Sequence, residues 1–342
     1  MVRWLWIFAL AAVLVFLFWV PLSSGTAEVP ETTVPAPSTT APLPPETEPP
    51  TEPPTTVPEE TQPHLQPDPD YVLTARNAFV YDVASQELRF TLGDMDAQVY
   101  PASLTKLFTA WVALEQLDPK AFVTCGEETA WIDPESSRAW VTPGDRMQVE
   151  RLMQGMMMQS GNDAAYAVAV AAGRAIAGED TDPARALEIF MEQVNRRAED
   201  MGLTGTHFIT PDGLHAYGHH TTPRDLMKMA LLVLEHPLLR HCTGLSEATV
   251  MYENGEYYTY RSTNYLLQPQ SAYYCPDALG MKTGTTKAAG SCLMALFHNG
   301  DGYILIGILG CPQYEDRFRD ALQLYALYGG KNFQNTNTPS GA

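Results

Sequence analysis

Residues 28–70 hold 14 of the chain's 27 prolines, nine acidic residues and no lysine or arginine. A segment of that composition cannot bury enough apolar surface to offset the entropy of ordering it. It divides the 342 residues into three parts and confines any hydrophobic core to the residues C-terminal to it. Proline favours extended backbone of about 3.1 Å per residue, so residues 28–70 read as a disordered Pro/Thr/Glu-rich tether. Before it, Trp4 to Val20 is an unbroken apolar run preceded by Arg3 and followed by Pro21. Its 17 residues suit either of two readings. One is a signal peptide, with Ser23-Ser-Gly-Thr-Ala27 offering small residues for cleavage. The other is a retained membrane anchor. Residues 1–27 are assigned to that segment, and both readings export the rest of the chain, Arg3 marking the inner end.

From residue 71 to about residue 330 the composition is globular, enough for one domain with a real core. Residues 331–342 form a polar tail. The formal charge of −19 includes nine negative charges in the tether, and the remainder leaves an acidic domain, which argues against nucleic acid as a partner. The five cysteines are Cys125, Cys242, Cys275, Cys292 and Cys311. None is spaced as CxxC. A Cys242–Cys275 disulfide and five free buried thiols are both open.

The pattern of the globular part places strands at both ends. Residues 77–83 and 87–91 read as a hairpin. Helices come next over 103–117, 148–158, 163–175, 182–201 and 224–234. Extended segments return at 257–260, 280–285, 291–297 and 303–309, and a last helix spans 319–328. The simplest closure is an α/β (α+β) fold. Its antiparallel five-stranded sheet joins two N-terminal strands to three C-terminal ones, is flanked by helices, and is accompanied by an all-helical region. The Met stripe of Met153, Met156, Met157 and Met158 reads as core.

Three strings carry chemistry: Ser103-Leu-Thr-Lys106, Ser160-Gly-Asn162 and Lys282-Thr-Gly284. Ser103 and Lys106 are three apart at a helix start and share a face. A serine hydroxyl is a weak nucleophile and needs a base. Lys106 can serve only with a pKa lowered by burial or by a nearby cation. Lys282 is the candidate cation, so the expectation is a neutral Lys106 and a charged Lys282. Ser160 can relay a proton to a leaving nitrogen, and Asn162 can bind a substrate carbonyl. Gly284 lets a substrate backbone lie along its strand. Lys282 and Thr283 can hold a carboxylate, and the Thr285 N–H, with that of Ser103, can face an oxyanion. Each string occurs by chance in many chains: a helix-capping serine with an exposed lysine, a Ser/Gly/Asn turn, a strand ending in a Thr/Gly turn.

In this order the strings resemble the low-molecular-mass penicillin-binding proteins, the serine-type D-alanyl-D-alanine carboxypeptidases of peptidase family S11. The resemblance extends to Pro101-Ala-Ser-Leu-Thr-Lys106, Ser160-Gly-Asn-Asp-Ala-Ala165, Thr210-Pro-Asp-Gly-Leu214, Thr221-Thr-Pro-Arg-Asp225 and Gly280-Met-Lys-Thr-Gly-Thr285, and covers about residues 74–330. It implies a β-lactamase/transpeptidase-like catalytic domain over residues 71–330, working outside the cytoplasm in cell wall maturation. It also implies a peptidoglycan stem peptide ending in D-Ala-D-Ala as substrate, an acyl-enzyme on Ser103, and β-lactams as covalent inhibitors. No cofactor or metal is called for.

Some members place an arginine just before an Asn-x-Leu-Leu string to hold the substrate carboxylate. Here Thr263 has that place and Arg261 lies two residues earlier. Many members carry a further β-rich domain and an amphipathic helix, whereas this chain ends at Ala342, so the expected membrane attachment is the N-terminal run. His215, His219 and His220 invite a metal, but Pro211, Gly213 and Gly218 make this a loop with no carboxylate at zinc-enzyme spacing. A serine β-lactamase would share the three strings but needs a carboxylate to activate water. Glu150-Arg-Leu-Met153 and Glu192-Gln-Val-Asn195 match that need poorly. A non-catalytic wall-binding relative would have no need of the intact set.

Overall fold

The structure is a computed structural model and describes residues 67–329 except Asn254. The N-terminal apolar run, most of the tether and the tail lie outside the described residues. Strands β1 (Asn77–Asp82) and β2 (Glu87–Leu92) form the expected hairpin. A 3₁₀ turn at Ala102–Leu104 leads into α1 (Thr105–Leu114). Two short strands, β3 (Phe122–Thr124) and β4 (Arg146–Gln148), pair with each other. Then come α2 (Val149–Met158), α3 (Asn162–Ala177), α4 (Pro183–Asp200), α5 (Pro223–Glu235) and α6 (Pro237–Gly244). A hairpin of β5 (Glu247–Met251) and β6 (Tyr257–Arg261) precedes β7 (Ala278–Thr286), β8 (Gly290–Asn299) and β9 (Gly302–Cys311), and α7 (Asp316–Tyr328) ends the described chain.

The main sheet runs β2-β1-β9-β8-β7, antiparallel throughout, with the N-terminal hairpin closing onto the last strand. This is the predicted closure. The expected strand at 257–260 lies in a separate two-stranded sheet with β5.

Alternation along β8 and β9 shows why the sheet is buried on both faces. Cys292, Met294, Leu296, Leu305 and Leu309 belong to the core shared with the helical region. Their neighbours Leu293, Ala295, Phe297, Ile304, Ile306 and Ile308 belong to the core under α7. Side chains of period two feed two cores, so the strands read as continuous apolar runs. The Met stripe of α2 is core, as expected. Helix ends obey local chemistry. Asp182 caps α4, and Thr222 accepts from Asp225 N–H with Pro223 at the first position of α5. All five cysteines are buried and free, and Cys242 and Cys275 sit in different cores.

The described chain begins attached to α7. Asp68 exchanges hydrogen bonds with Gln323. Asp320, fully buried, accepts from the Tyr71 hydroxyl at 2.7 Å, from Thr74 N–H and hydroxyl at 3.0 and 3.1 Å, and from Ala75 N–H at 2.8 Å. One carboxylate therefore holds the point where the tether meets the domain. Asp320→Ala strands these donors, at about 1–3 kcal/mol for a group left unpaired. We expect a lower urea midpoint with an unchanged m-value, and faster proteolysis between residues 67 and 76.

Candidate active site

Three separate segments meet at Lys106. It is fully buried in the first turn of α1. Its Nζ lies 2.9 Å from Ser103 Oγ, 2.7 Å from Asn162 Oδ1 at the start of α3, and 2.8 Å from the Asp212 carbonyl oxygen. An ammonium has three donors, and these three acceptors use them all. Burial pulls Lys106 down to about 8, against the opposing pull of Asp212 and Asp163. The same contacts suit the neutral amine. Two N–H groups then serve Asn162 and Asp212, and the lone pair faces the Ser103 hydroxyl.

The Ser103 turn is held in an uncommon backbone state. Ala102 has φ 50°, a left-handed conformation costly for a residue with a Cβ. Its carbonyl accepts from the Thr105 hydroxyl at 2.9 Å. Gly213, itself at φ 84°, presses on this turn so closely that a Cβ there would lie 1.9 Å from Ala102 O. From the other side, β7 arrives with Gly284, where a Cβ would lie 3.0 Å from Ser103 N. The two glycines thus permit the close approach of the 210–214 loop and of β7 to this turn.

The second string forms a turn rather than a helix end alone. Ser160 is buried with φ 58°. Asp163 grips the neighbouring loop through the N–H groups of Ala139 at 2.8 Å and Val141 at 3.0 Å, and Asn162 N–H donates to Ser137 O at 2.9 Å. Ala139 O in turn accepts from the Tyr252 and Tyr260 hydroxyls at 3.0 and 3.1 Å. Ser160, the expected proton relay, lies at this turn, and the Lys106 ammonium bonds Ser103, Asn162 and Asp212 rather than its hydroxyl. Asn162 turns its Oδ1 to the lysine, leaving its amide nitrogen for other partners.

β7 is an edge of the main sheet, so one side of its backbone is not engaged by that sheet. Lys282 is buried, with Nζ 2.9 Å from Thr283 O. Burial depresses its pKa well below the usual lysine range, and Lys106 and Arg317 press it further the same way. That corrects the expectation of a charged Lys282 lowering Lys106. In the ligand-free site burial is the first cause for both, and Lys282 has no carboxylate opposing it. Thr283 Oγ1 is 2.6 Å from Thr263 Oγ1. Arg261 is exposed on β6 and paired with Glu247 at 2.9 Å.

Sequence reasoning missed Arg317. It is buried on α7, and its guanidinium donates to Gly284 O at 3.1 Å, Thr285 Oγ1 at 2.8 Å and Cys292 O at 3.3 Å. It lies over the Tyr314 ring at 3.9 Å. Its Nε has no partner among the described residues, and burial lowers its pKa. Its setting in Asp316-Arg-Phe-Arg-Asp320 gives no sign of burial, and the helix expected over 319–328 begins two residues after it. His219 is also buried, with Nδ1 3.1 Å from Ile209 N and Nε2 3.0 Å from Thr105 Oγ1.

The sequence matches the family described as D-alanyl-D-alanine carboxypeptidase over residues 62–311. It is 31% identical over 281 residues to D-alanyl-D-alanine carboxypeptidase DacC of Escherichia coli (strain K12), covering 78% of this chain and 63% of that protein. It is 29% identical over 238 residues to the D-alanyl-D-alanine carboxypeptidase of Streptomyces sp. (strain K15), covering 67% of this chain and 78% of the other. The crystal structure of the Streptomyces K15 DD-transpeptidase superposes with a TM-score of 0.67 at 27% identity, covering 74% of this chain and 96% of that one. Penicillin-binding protein D2 from Listeria monocytogenes, in an ampicillin-bound form, superposes at 0.59 with 26% identity, covering 75% of this chain and 98% of that one. The chain spans 52%, 60% and 63% of the lengths of three of the curated relatives it matches.

Gly213→Ala tests the close approach. It forces a Cβ into Ala102 O and a left-handed alanine, at about 1–3 kcal/mol for overpacking alone. We expect a clear drop in urea midpoint, against little change for Gly202→Ala. Gly202 also has positive φ but has open space around it, so the comparison isolates the packing.

Proposed function

The chain belongs to the S11 family of D-alanyl-D-alanine carboxypeptidases, and on that premise we propose that it removes the terminal D-alanine from peptidoglycan stem pentapeptides through an acyl-enzyme on Ser103. The carrying observation is the 2.9 Å contact between Ser103 Oγ and a buried Lys106 whose pKa is lowered to about 8. Neutral Lys106 accepts the hydroxyl proton as Ser103 Oγ attacks the carbonyl between the two D-alanines. The N–H groups of Ser103 and Thr285 face the developing oxyanion. Ser160 returns the proton to the leaving nitrogen. D-alanine departs, and water then displaces the acyl group from Ser103 in a second passage through the same groups.

Substrate binding is organised by β7. The stem peptide lies extended along this strand, beside side-chain-free Gly284, and the Asn162 amide nitrogen donates to a substrate carbonyl. Lys282, Thr283 and Thr285 receive the terminal carboxylate, backed by the Arg317 guanidinium through Thr285. Among the described residues no carboxylate pairs with Arg317 or Lys282, and buried cations call for an anion. β-Lactams, offering an acyl group and a carboxylate in similar arrangement, acylate Ser103 in the same way.

The β-lactamase reading loses its candidate carboxylates. Glu192 is exposed on α4 beside Arg185, and Glu150 pairs with Arg151. Among the described residues neither is hydrogen-bonded to Lys106. The activity is placed outside the cytoplasm, with the segment 1–27 as export signal or anchor. No helix among the described residues is long and apolar enough to cross a membrane.

Ser103→Ala abolishes D-alanine release from a synthetic pentapeptide and labelling by fluorescent penicillin; labelling that survives would remove Ser103 from its role. Lys106 works only when neutral, so kcat/KM climbs with pH up to about 8 and falls about tenfold for each unit below. Lys106→Arg, which stays protonated, is inactive across that range. A flat profile between about pH 6 and 9 would rule out Lys106 as the base.

A further inference from the structure

We propose that His219 is a positioning residue for Lys106, tying the loop that supplies the lysine's Asp212 carbonyl to the residue that precedes the lysine in α1. The inference rests on Lys106 being the base. A chain of contacts that no catalytic role requires carries it.

His219 lies on the return arm of the loop after His207, where His207 and His220 exchange backbone hydrogen bonds at 2.9 Å. Its Nδ1 accepts from Ile209 N–H at 3.1 Å and, more weakly, from Thr210 N–H at 3.4 Å. A nitrogen that accepts two backbone donors carries no proton, so the ring proton sits on Nε2. Nε2–H then donates to Thr105 Oγ1 at 3.0 Å, and that hydroxyl donates onward to Ala102 O at 2.9 Å. The imidazole thus holds the start of the Thr210-Pro-Asp-Gly-Leu214 loop with one nitrogen and the Ser103–Lys106 turn with the other. Two further contacts fasten the same loop to α1. Thr109 Oγ1 donates to Pro211 O at 2.9 Å, and Gly213 packs on Ala102 O. Phe208 stacks on the ring at 5.0 Å.

The arrangement needs a neutral imidazole. A proton on Nδ1 would face two N–H groups and break the loop's hold. Burial keeps the ring neutral, lowering its pKa to about 4, with His207, His215 and His220 adding in the same direction and Asp212 opposing. Lys106 faces Asp212, Asp163 and, across the site, Lys282. Asp212 Oδ2 is buried without a partner among the described residues, so nothing else on that side chain fixes the loop. Its Oδ1 reaches only to Leu214 N.

The test measures acylation by a fluorescent penicillin under single-turnover conditions, from pH 5 to 10, in wild type, His219→Ala, Thr105→Val, their double variant and His219→Asn. We expect each single variant to lower the limiting acylation rate about 10- to 100-fold, the range for a base displaced by an ångström or so. Half-saturating penicillin concentration and final labelled fraction should stay near wild type. The acid limb of the rate profile should no longer coincide with that of wild type. The double variant should be no slower than the slower single one, because both changes cut one chain. His219→Asn keeps an acceptor near the Nδ1 position and should recover part of the rate. Wild-type limiting rates and acid limb would overturn the proposal, as would losses confined to labelled fraction and melting temperature, or additive losses in the double variant. A wild-type chain that is never labelled would instead overturn the acyl-enzyme reading itself, so the two failures are distinct.

Discussion

The burial of one ammonium group organises this domain. A lysine taken fully out of water incurs a desolvation cost of several kcal/mol unless its donors are met. Lys106 meets them with acceptors from three places far apart in sequence: Ser103 in its own turn, Asn162 at the start of α3, and the Asp212 carbonyl in the loop after α4. Each acceptor is held by something else. Left-handed Ala102 shapes the turn, Asp163 anchors the Ser160–Asn162 turn to the loop at 139–141, and His219 and Gly213 press the 210–214 loop onto α1. Backbone strain at Ala102, Ser160 and Trp140 gathers around this point. That is where a structure tolerates uncommon conformations when the surroundings over-determine them.

The sheet supplies the other half of the constraint. Because β8 and β9 bury both faces, their positions are set by two cores at once, and β7 inherits that rigidity through its pairing with β8. Yet β7 is an edge strand. It can stay open to an extended partner while being as well placed as an interior strand. Arg317 strengthens it from the α7 side, bonding two consecutive residues of the strand, Gly284 and Thr285. The chain is acidic overall, whereas the interior of the domain near β7 collects three buried basic side chains: Lys106, Lys282 and Arg317.

What could be read in the sequence was what local chemistry dictates. The strand alternation at both ends implied the five-stranded sheet and its closure, and the spacing of Ser103 and Lys106 implied a shared helix face. The 237–244 helix, the β3–β4 pair and the β5 partner of β6 were not legible, being short and dependent on tertiary packing. In the site, side-chain identity was readable but direction was not. Nothing in Ser-Gly-Asn says that Asn162 gives its oxygen to Lys106. Arg261 and Arg317 are both arginines near the expected binding region in sequence or space. Only the fold separates them, one exposed in an ion pair with Glu247, the other buried against Thr285. His219 was weighed only as a metal ligand and set aside, because a histidine in a Gly/Pro loop gives no sign that its ring nitrogens meet Ile209 and Thr105.

The electrostatics of the paired lysines link binding to chemistry. In the ligand-free site burial disfavours charge on both lysines, and Lys106 and Arg317 press Lys282 in the same direction. At Lys106, Asp212 and Asp163 oppose that effect. In the proposed complex a substrate carboxylate arriving at Lys282 and Thr283 works against the effect of burial at Lys282. An anion within a few ångströms favours the charged form of the nearest lysine. A charged Lys282 then disfavours a proton on Lys106, since two like charges in a low-dielectric site repel strongly. In that proposal the carboxylate favours positive charge on Lys282 over Lys106. In the proposed mechanism a substrate lacking that carboxylate gives Lys106 no such help, so recognition of the peptide's end and deprotonation of the proposed base favour each other.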